Sequence, residues 1–404
     1  MSRKRYPLPF HCRRVLPYAT MNAISTRRFW LESLAAAWRG RSVLWLSGVR
    51  RSGKTVLARS LARAEYLDCE LPSVRRLLAQ PESFLAARRG RTVVLDEIHR
   101  LRNPSELLKL AADHYPRVRV LATGSSSLGA SRRFRDTLTG RKAELWLTPM
   151  MSRDLVDFGR PGLEHRLLRG GLPPYFLAAQ DPEREIQEWI DSYWAKDILE
   201  LFRLERRSSF QRFVELVHVQ SGGMFEATGF ARDCEVSRTS IANYLAVLEA
   251  TYVAHVIRPF SARRATEIVA APKVYGFDTG FVCQLRGIDR LRRDDIGFLW
   301  EHYVLNELHA RLQTRAIGYW RDKRGHEIDF VLARRGRPPL AIECKASSAS
   351  FDASGLAAFR RAHPEGLNLV VAPDVDRPFN ETHAGLRVEF TGLEGLVGRV
   401  QGKR

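Results

Sequence analysis

Residues 48–55 read Gly-Val-Arg-Arg-Ser-Gly-Lys-Thr. This is a complete G-x-x-x-x-G-K-[ST] phosphate-binding loop, a pattern that works only between a strand and a helix. The apolar run 42–46 before it predicts the strand, and 56–64 predicts the helix. Gly48 and Gly53 let the backbone curl so that the N–H groups of Arg51, Ser52 and their neighbours point at phosphate oxygens. Lys54 is placed to meet the β- and γ-phosphates, and the Thr55 hydroxyl is a ligand for Mg²⁺. The helix start adds its own attraction for anions. A second apolar run, 91–95, ends in Asp96-Glu97. A carboxylate at the end of such a strand holds Mg²⁺, and the next one polarises an attacking water, so Asp96 is a metal candidate and Glu97 a catalytic one. A third strand, 118–122, ends in Thr123-Gly124-Ser125, where Thr123 or Ser125 is the γ-phosphate sensor or simply part of a small-residue turn. ATP and Mg²⁺ are the expected cofactors.

Further motifs follow in order. They are Leu95-Asp96-Glu97-Ile98-His99-Arg100, Thr123-Gly124-Ser125-Ser126, Thr139-Gly140-Arg141, Gly170-Gly171-Leu172-Pro173, Lys196-Asp197-Ile198-Leu199, the 272–280 stretch Pro-Lys-Val-Tyr-Gly-Phe-Asp-Thr-Gly, Tyr319-Trp320-Arg321, Glu327-Ile328-Asp329-Phe330-Val331 and Ile342-Glu343-Cys344-Lys345. With these motifs the chain resembles a family of bacterial and archaeal AAA+-type ATPases that carry a C-terminal domain of unknown function. The resemblance runs nearly the whole length and implies architecture more firmly than purpose. Many relatives have Gln where this chain has His99, a departure expected to matter little for ATP.

At 404 residues the chain is too long for one compact core. No window approaches the ~18 unbroken apolar residues of a membrane helix. The five cysteines form no C-x-x-C pair, which points away from zinc and a disulfide framework and toward a reducing cytoplasm. Residues 1–22 are basic and read as an extension, either disordered or created by an upstream start codon. The formal net charge is +20, and residues 1–60 hold eleven Arg and two Lys against one acid, Glu32. Such a surface favours phosphate backbones, so nucleic acid, DNA foremost, is the expected partner; an arginine-rich proteome gives the same excess without that role.

The expected fold class is α/β. A P-loop NTPase (AAA+-like) core spans 23–150, a helical lid or connector 151–205, a winged helix 206–290, a restriction-endonuclease-like domain 291–397 and a basic tail 398–404. In oligomeric AAA+ enzymes an Arg reaches the neighbouring subunit's γ-phosphate. The resemblance makes Arg141 the first candidate; Arg132, in the same basic stretch 132–142, is the second, and a homo-oligomer goes with them. Helices at 210–219, 226–234 and 238–250, with Ser237 as an N-cap, read as a helix-turn-helix. Arg238, Thr239, Ser240 and Asn243 would then face a major groove, with Arg263 and Arg264 on phosphates; the alternative is a packing module. In the last third, Asp329 on one strand and Glu343 and Lys345 on the next resemble the D…E-x-K set of metal-dependent nucleases. Residues two apart on a strand share a face, so Glu343 and Lys345 project together. Asp329, Glu343 and the helix-borne Glu301 would hold Mg²⁺, with Lys345 serving the attacking water. Two functions stay open: an ATP-regulated nuclease, or a non-cleaving ATP-dependent switch that binds DNA or protein through an inactive nuclease-like scaffold.

Overall fold

The computed structural model describes residues 26–124, 138–159, 162–180, 182–198, 206–261, 271–334 and 336–401. Its first sheet contains β1 (Val43–Ser47), β2 (Ala64–Asp68), β3 (Thr92–Asp96), β4 (Arg119–Thr123) and β5 (Lys142–Trp146) in the order β2-β3-β4-β1-β5. Every pairing is parallel. Continuous apolar runs are what a parallel sheet covered on both faces requires. The two-residue period then sorts the side chains. Val43, Trp45, Val93, Leu95, Val120 and Ala122 pack on one face with helix Pro104–His114. Leu44, Leu46, Val94, Leu121 and Leu145 pack on the other with Trp30, Leu34 and Leu57. Parallel strands bring all their C-terminal ends to one edge, so the 48–55 loop, Asp96-Glu97 and Thr123 meet there. The helix after the loop spans only Lys54–Arg59, not 56–64, because residues 64–68 are taken up as an edge strand against β3.

The second sheet is mixed. It comprises β6 (Gly223–Met224), β7 (Ala254–Pro259), β8 (Lys273–Gly276), β9 (Gly318–Arg321), β10 (Glu327–Arg334), β11 (Arg337–Cys344), β12 (Asn368–Val371), β13 (Phe379–His383) and β14 (Leu386–Thr391), ordered β13-β14-β12-β11-β10-β9-β7-β8-β6. Helices Arg207–Val219, Ala227–Asp233 and Arg238–Ala250 precede its β7–β8 hairpin. β8, starting at Lys273, is the strand that pairs with β7. β7 also pairs with β9 through Arg258–Gly318 and Pro259–Tyr319, so one sheet runs from the helical segment into the C-terminal third. Ser237 caps its helix by accepting from the Ser240 N–H at 3.1 Å, and Ile241, Tyr244, Leu245 and Leu248 are buried. Among the described residues no helix is long and apolar enough to cross a membrane.

Two of the sequence motifs are locks between segments. Asp278 accepts from the Gly171 N–H at 2.6 Å and the Gly280 N–H at 2.9 Å. Arg166 donates to Thr279 Oγ1 at 2.9 Å and the Met150 carbonyl at 2.9 Å. Helix Arg293–Leu312 grips the stretch after β5. Asn306 donates to the Pro149 carbonyl (3.1 Å), and Glu307 accepts from the Ser152 N–H (2.9 Å) and hydroxyl (3.0 Å). The Gln313 side chain bonds both main-chain groups of Trp146, accepting from N–H at 2.7 Å and donating to the carbonyl at 3.1 Å.

Candidate nucleotide site and carboxylate cluster

The loop after β1 holds the backbone that the motif demands. Gly48, Arg51 and Gly53 have φ of 139°, 65° and 97°. A side chain at Gly48 is excluded, since a Cβ would lie 2.4 Å from the Leu147 carbonyl oxygen. Arg27, 4% exposed, ties the loop to the chain after β5, donating to the carbonyls of Ser52 (3.1 Å) and Thr148 (2.9 Å) while pairing with Asp154 at 2.5 Å. On the other side Trp189 donates to the Arg50 carbonyl (3.1 Å) and Arg51 to the Tyr175 hydroxyl (3.0 Å). Lys54 Nζ lies over the loop, donating to the carbonyls of Gly48 (2.9 Å) and Val49 (3.0 Å). Thr55 follows in the first helical turn. This helix is six residues long, so the loop's N–H groups, more than the helix dipole, carry the anion attraction.

Asp96 is buried at the end of β3 and Glu97 sits just beyond it at φ 52°. The Asp96 carboxylate accepts from the Thr123 hydroxyl and from the Tyr66 hydroxyl, the latter at 2.5 Å. Two hydroxyl donors fix its orientation and leave lone pairs on both oxygens. Burial raises the Glu97 pKa, but His99, Lys54 and Arg50 outweigh it and hold the carboxyl below the ordinary range. The His99 Nδ1 lies 3.2 Å from Glu97 Oε2. An ionised, oriented carboxylate here is what polarising a water needs. The donors suit Mg²⁺: hard oxygens from Thr55 and Asp96, beside a buried Ser52 hydroxyl that has no hydrogen-bond partner among the described residues.

Gly48, Arg51, Ser52, Gly53, Lys54, Thr55, Asp96 and Glu97 thus gather at one edge, joined by Thr123. Tyr66, on edge strand β2, was not singled out from the sequence, where its aromatic ring signals only packing. Ser125, Arg132, Arg263 and Arg264 lie outside the described residues. Arg141 lies just before β5, at the opposite end of the sheet from this chain's own loop, and holds Asp113 through Nε at 2.8 and 3.0 Å.

The C-terminal third brings the other candidates together. With Phe330 opposite Ile342 in the antiparallel β10–β11 ladder, Asp329 falls opposite Glu343. Asp329 accepts from the Cys344 N–H at 2.7 Å and Lys345 pairs with Glu343 at 2.9 Å. Glu301 approaches from the 293–312 helix and accepts from the Tyr275 hydroxyl. Burial and then the neighbouring Asp329 charge raise both Glu301 and Glu343, and burial raises Asp329. Three residues unanticipated from the sequence complete the cluster: Tyr275 and Lys273 from β8, and Glu327 from β10. Lys273 is bonded to Glu327 and lies 3.7 Å from Glu301. Tyr275 and Lys273 reach the cluster only through the joining of the β7–β8 hairpin to the sheet, which no local spacing signals, whereas Glu327 stands two residues before Asp329 on β10, a spacing that shares a face. Among the described residues no group of three His, Cys, Asp or Glu side chains is placed to hold a metal ion. The carboxylates are answered instead by the ammonium groups of Lys273 and Lys345.

On helix 238–250, Arg238, Thr239 and Asn243 are exposed, while the Ser240 hydroxyl is engaged with Ser237 Oγ at 2.9 Å.

Comparison with known proteins fits the nucleotide site. Residues 40–156 match the family described as AAA domain, residues 160–292 a domain of unknown function (DUF8612), and residues 296–389 a domain of unknown function (DUF4143). The chain is 29% identical over 333 residues to the uncharacterized protein Rv2008c of Mycobacterium tuberculosis, covering 80% of this chain and 74% of that protein. The uncharacterized protein Mb2031c of Mycobacterium bovis gives the same figures, 29%, 80% and 74%. Among solved structures, the Walker-type ATPase PABY2304 of Pyrococcus abyssi is 17% identical with a TM-score of 0.41, covering 68% of this chain and 99% of that one. The DNA clamp loader delta protein of Bacillus subtilis is 12% identical with a TM-score of 0.26, covering 55% and 88%. The AAA-domain match, with the loop geometry, supports an AAA-type P-loop ATPase core that binds ATP, followed by a C-terminal domain of unknown function.

Proposed function

We propose that the chain is an AAA+-type ATPase whose nucleotide state governs how its C-terminal two-thirds engages nucleic acid, DNA foremost, without cutting it. The carrying observation is the single edge at which Lys54, Thr55, Asp96 and Glu97 converge around a loop with the backbone of a phosphate cradle. Loop N–H groups and Lys54 hold the phosphates. Thr55 and Asp96 would hold Mg²⁺, which when bound would supply positive charge against the phosphates. Glu97, kept ionised by His99 and Lys54, orients the attacking water. Arg141 serves the neighbouring subunit's site in a homo-oligomer, since in its own subunit it sits at the far end of the sheet. Helices 207–219, 227–233 and 238–250 with the β7–β8 hairpin act as a winged helix that presents Arg238, Thr239 and Asn243 to a groove. The setting is the cytoplasm.

The non-cleaving reading is preferred because Lys273 and Lys345 already answer Glu301, Glu327 and Glu343. The nuclease reading keeps one observation in its favour, the pairing of Asp329 opposite Glu343 with Lys345 beside them. One experiment separates them. Wild type and Lys345→Ala are incubated with labelled single- and double-stranded DNA, ATP and Mg²⁺ or Mn²⁺. Retention of intact DNA that changes with nucleotide and survives Lys345→Ala supports the switch. Cutting by wild type that Lys345→Ala abolishes supports the nuclease, and an absence of any DNA retention at low salt refutes both.

A further inference from the structure

The end of the first sheet opposite the nucleotide loop is a basic cleft. Parallel strands force the segments that enter β1, β3, β4 and β5 to converge there, and main-chain bonds knit them. Gly90 N–H donates to the Arg117 carbonyl (3.1 Å), Arg119 N–H to the Arg91 carbonyl (3.0 Å) and Val120 N–H to the Ser42 carbonyl (2.8 Å). The cavity between them measures about 780 Å³ and is lined by Arg39, Arg41, Arg117, Arg119, Arg141 and Trp38. Among the described residues one carboxylate also lines it, Asp113, and Arg141 takes that carboxylate through two contacts of 2.8 and 3.0 Å. Arg39, Arg41, Arg117 and Arg119 are exposed and have no acidic partner among the described residues. Four uncompensated guanidinium groups from two separate segments, those entering β1 and β4, ring one concavity, with the half-buried Trp38 indole in its wall.

We infer that this cleft binds a single-stranded nucleic acid, through its phosphodiester backbone on the four arginines and a base against Trp38. The guanidinium fork matches phosphate oxygens two at a time, and an aromatic face beside a cationic track is how single strands are held without sequence preference. The four charges come from segments before different strands and open to the surface, which suits a strand passing through more than a compact anion. The inference rests on nucleic acid being the partner proposed above, and it places a second contact on the ATPase core itself, away from helix 238–250.

The test is the salt dependence of binding to a fluorescent single-stranded oligonucleotide. It compares wild type, the quadruple variant Arg39→Gln, Arg41→Gln, Arg117→Gln and Arg119→Gln, and the helix variant Arg238→Gln with Asn243→Ala. Each lost phosphate contact removes about 0.7 from the slope of log K against log salt, so the quadruple variant should lose about 2.8. Uptake of a labelled ATP analogue at wild-type affinity checks that the fold is intact. Should the quadruple variant fail that check, Arg117→Gln with Arg119→Gln alone should lose about 1.4. A slope unchanged in the arginine variants but reduced in the helix variant overturns this inference and leaves the proposed function standing. No binding of the single-stranded oligonucleotide by wild type at low salt overturns this inference, and only if double-stranded DNA is not bound either does the proposed function fall with it. Loss of pyrophosphate binding by the quadruple variant, with oligonucleotide binding intact, makes the cleft a small-anion site and also overturns the inference.

Discussion

Replacing Gly48 by Ala tests the loop where it is least forgiving. The added Cβ would lie 2.4 Å from the Leu147 carbonyl oxygen and 3.3 Å from both the Leu147 carbonyl carbon and the Ser52 hydroxyl. Leu147 has little room to retreat, because its N–H is bonded to the Ser47 carbonyl at 2.9 Å and the next carbonyl, Thr148, is held by Arg27 at 2.9 Å. The residue also has φ 139°. Backbone strain of this kind costs about 1–3 kcal/mol and overpacking about 1–3 kcal/mol more, so the unrelaxed cost is about 2–6 kcal/mol. The loop is the part able to move, and moving it misaims the N–H groups that would hold phosphate. If about 1.4 kcal/mol of the cost must be recovered on binding, the Kd for ATP rises tenfold. Gly53→Ala is the comparison: its Cβ meets only Pro173 Cγ at 3.8 Å, leaving the strain of φ 97° alone. Calorimetric titration with a non-hydrolysable ATP analogue and Mg²⁺, together with thermal melts, should show a lower melting temperature and a Kd at least about tenfold higher for Gly48→Ala, with a smaller loss of stability for Gly53→Ala. Wild-type affinity and melting in Gly48→Ala would refute the reasoning.

His99→Gln removes the imidazole whose hydrogen bond helps hold the Glu97 carboxyl below its ordinary range, so the acid limb of the ATPase pH profile should move to higher pH while the alkaline plateau holds; an unmoved limb argues against Glu97 acting through an ionised carboxylate. His309 is fully buried, with Nδ1 2.9 Å from the Thr314 carbonyl, and burial pushes its pKa down to about 4 from the ordinary 6.5. It therefore stays neutral in the fold at pH values where the unfolded chain takes up a proton. The resulting penalty is absent well above pH 6.5, grows as pH falls and reaches about 2 kcal/mol at pH 5. Urea unfolding should show the stability gap between wild type and His309→Gln narrowing by about that amount from pH 8 to pH 5, and a constant gap contradicts the assignment. Arg27→Met strands the buried Asp154 carboxylate, a loss of about 3–5 kcal/mol by denaturant unfolding; a change within 1 kcal/mol would show that Arg27 is not its essential partner.

The nucleotide edge was legible because its chemistry is local. A glycine-bounded loop, a lysine and a strand-terminal carboxylate pair each sit within a few residues, and the apolar runs around them have no alternative to a covered parallel strand. The Ser237 cap and the 238–250 helix were legible for the same reason. What escaped was set by long-range register. Tyr66 reaches Asp96 only because β2 pairs with β3, so that Asp68 stands beside Asp96. Lys273 meets Glu301 and Glu327 only because the β7–β8 hairpin adds to the strand carrying Tyr319. Arg27 finds Asp154 across 127 residues. His99, read as a neutral departure from the family pattern, lies against Glu97, a contact that depends on Glu97 taking φ 52°.

Equilibrium uptake of a labelled ATP analogue by the purified chain with Mg²⁺, set beside Lys54→Ala, tests the central claim most directly. Saturable one-to-one binding by the wild type, weakened at least about tenfold in a variant that melts at the same temperature, is the expected result. Folded wild-type protein that takes up no analogue at saturating concentration, or a Lys54→Ala variant that binds as well as wild type, would contradict it.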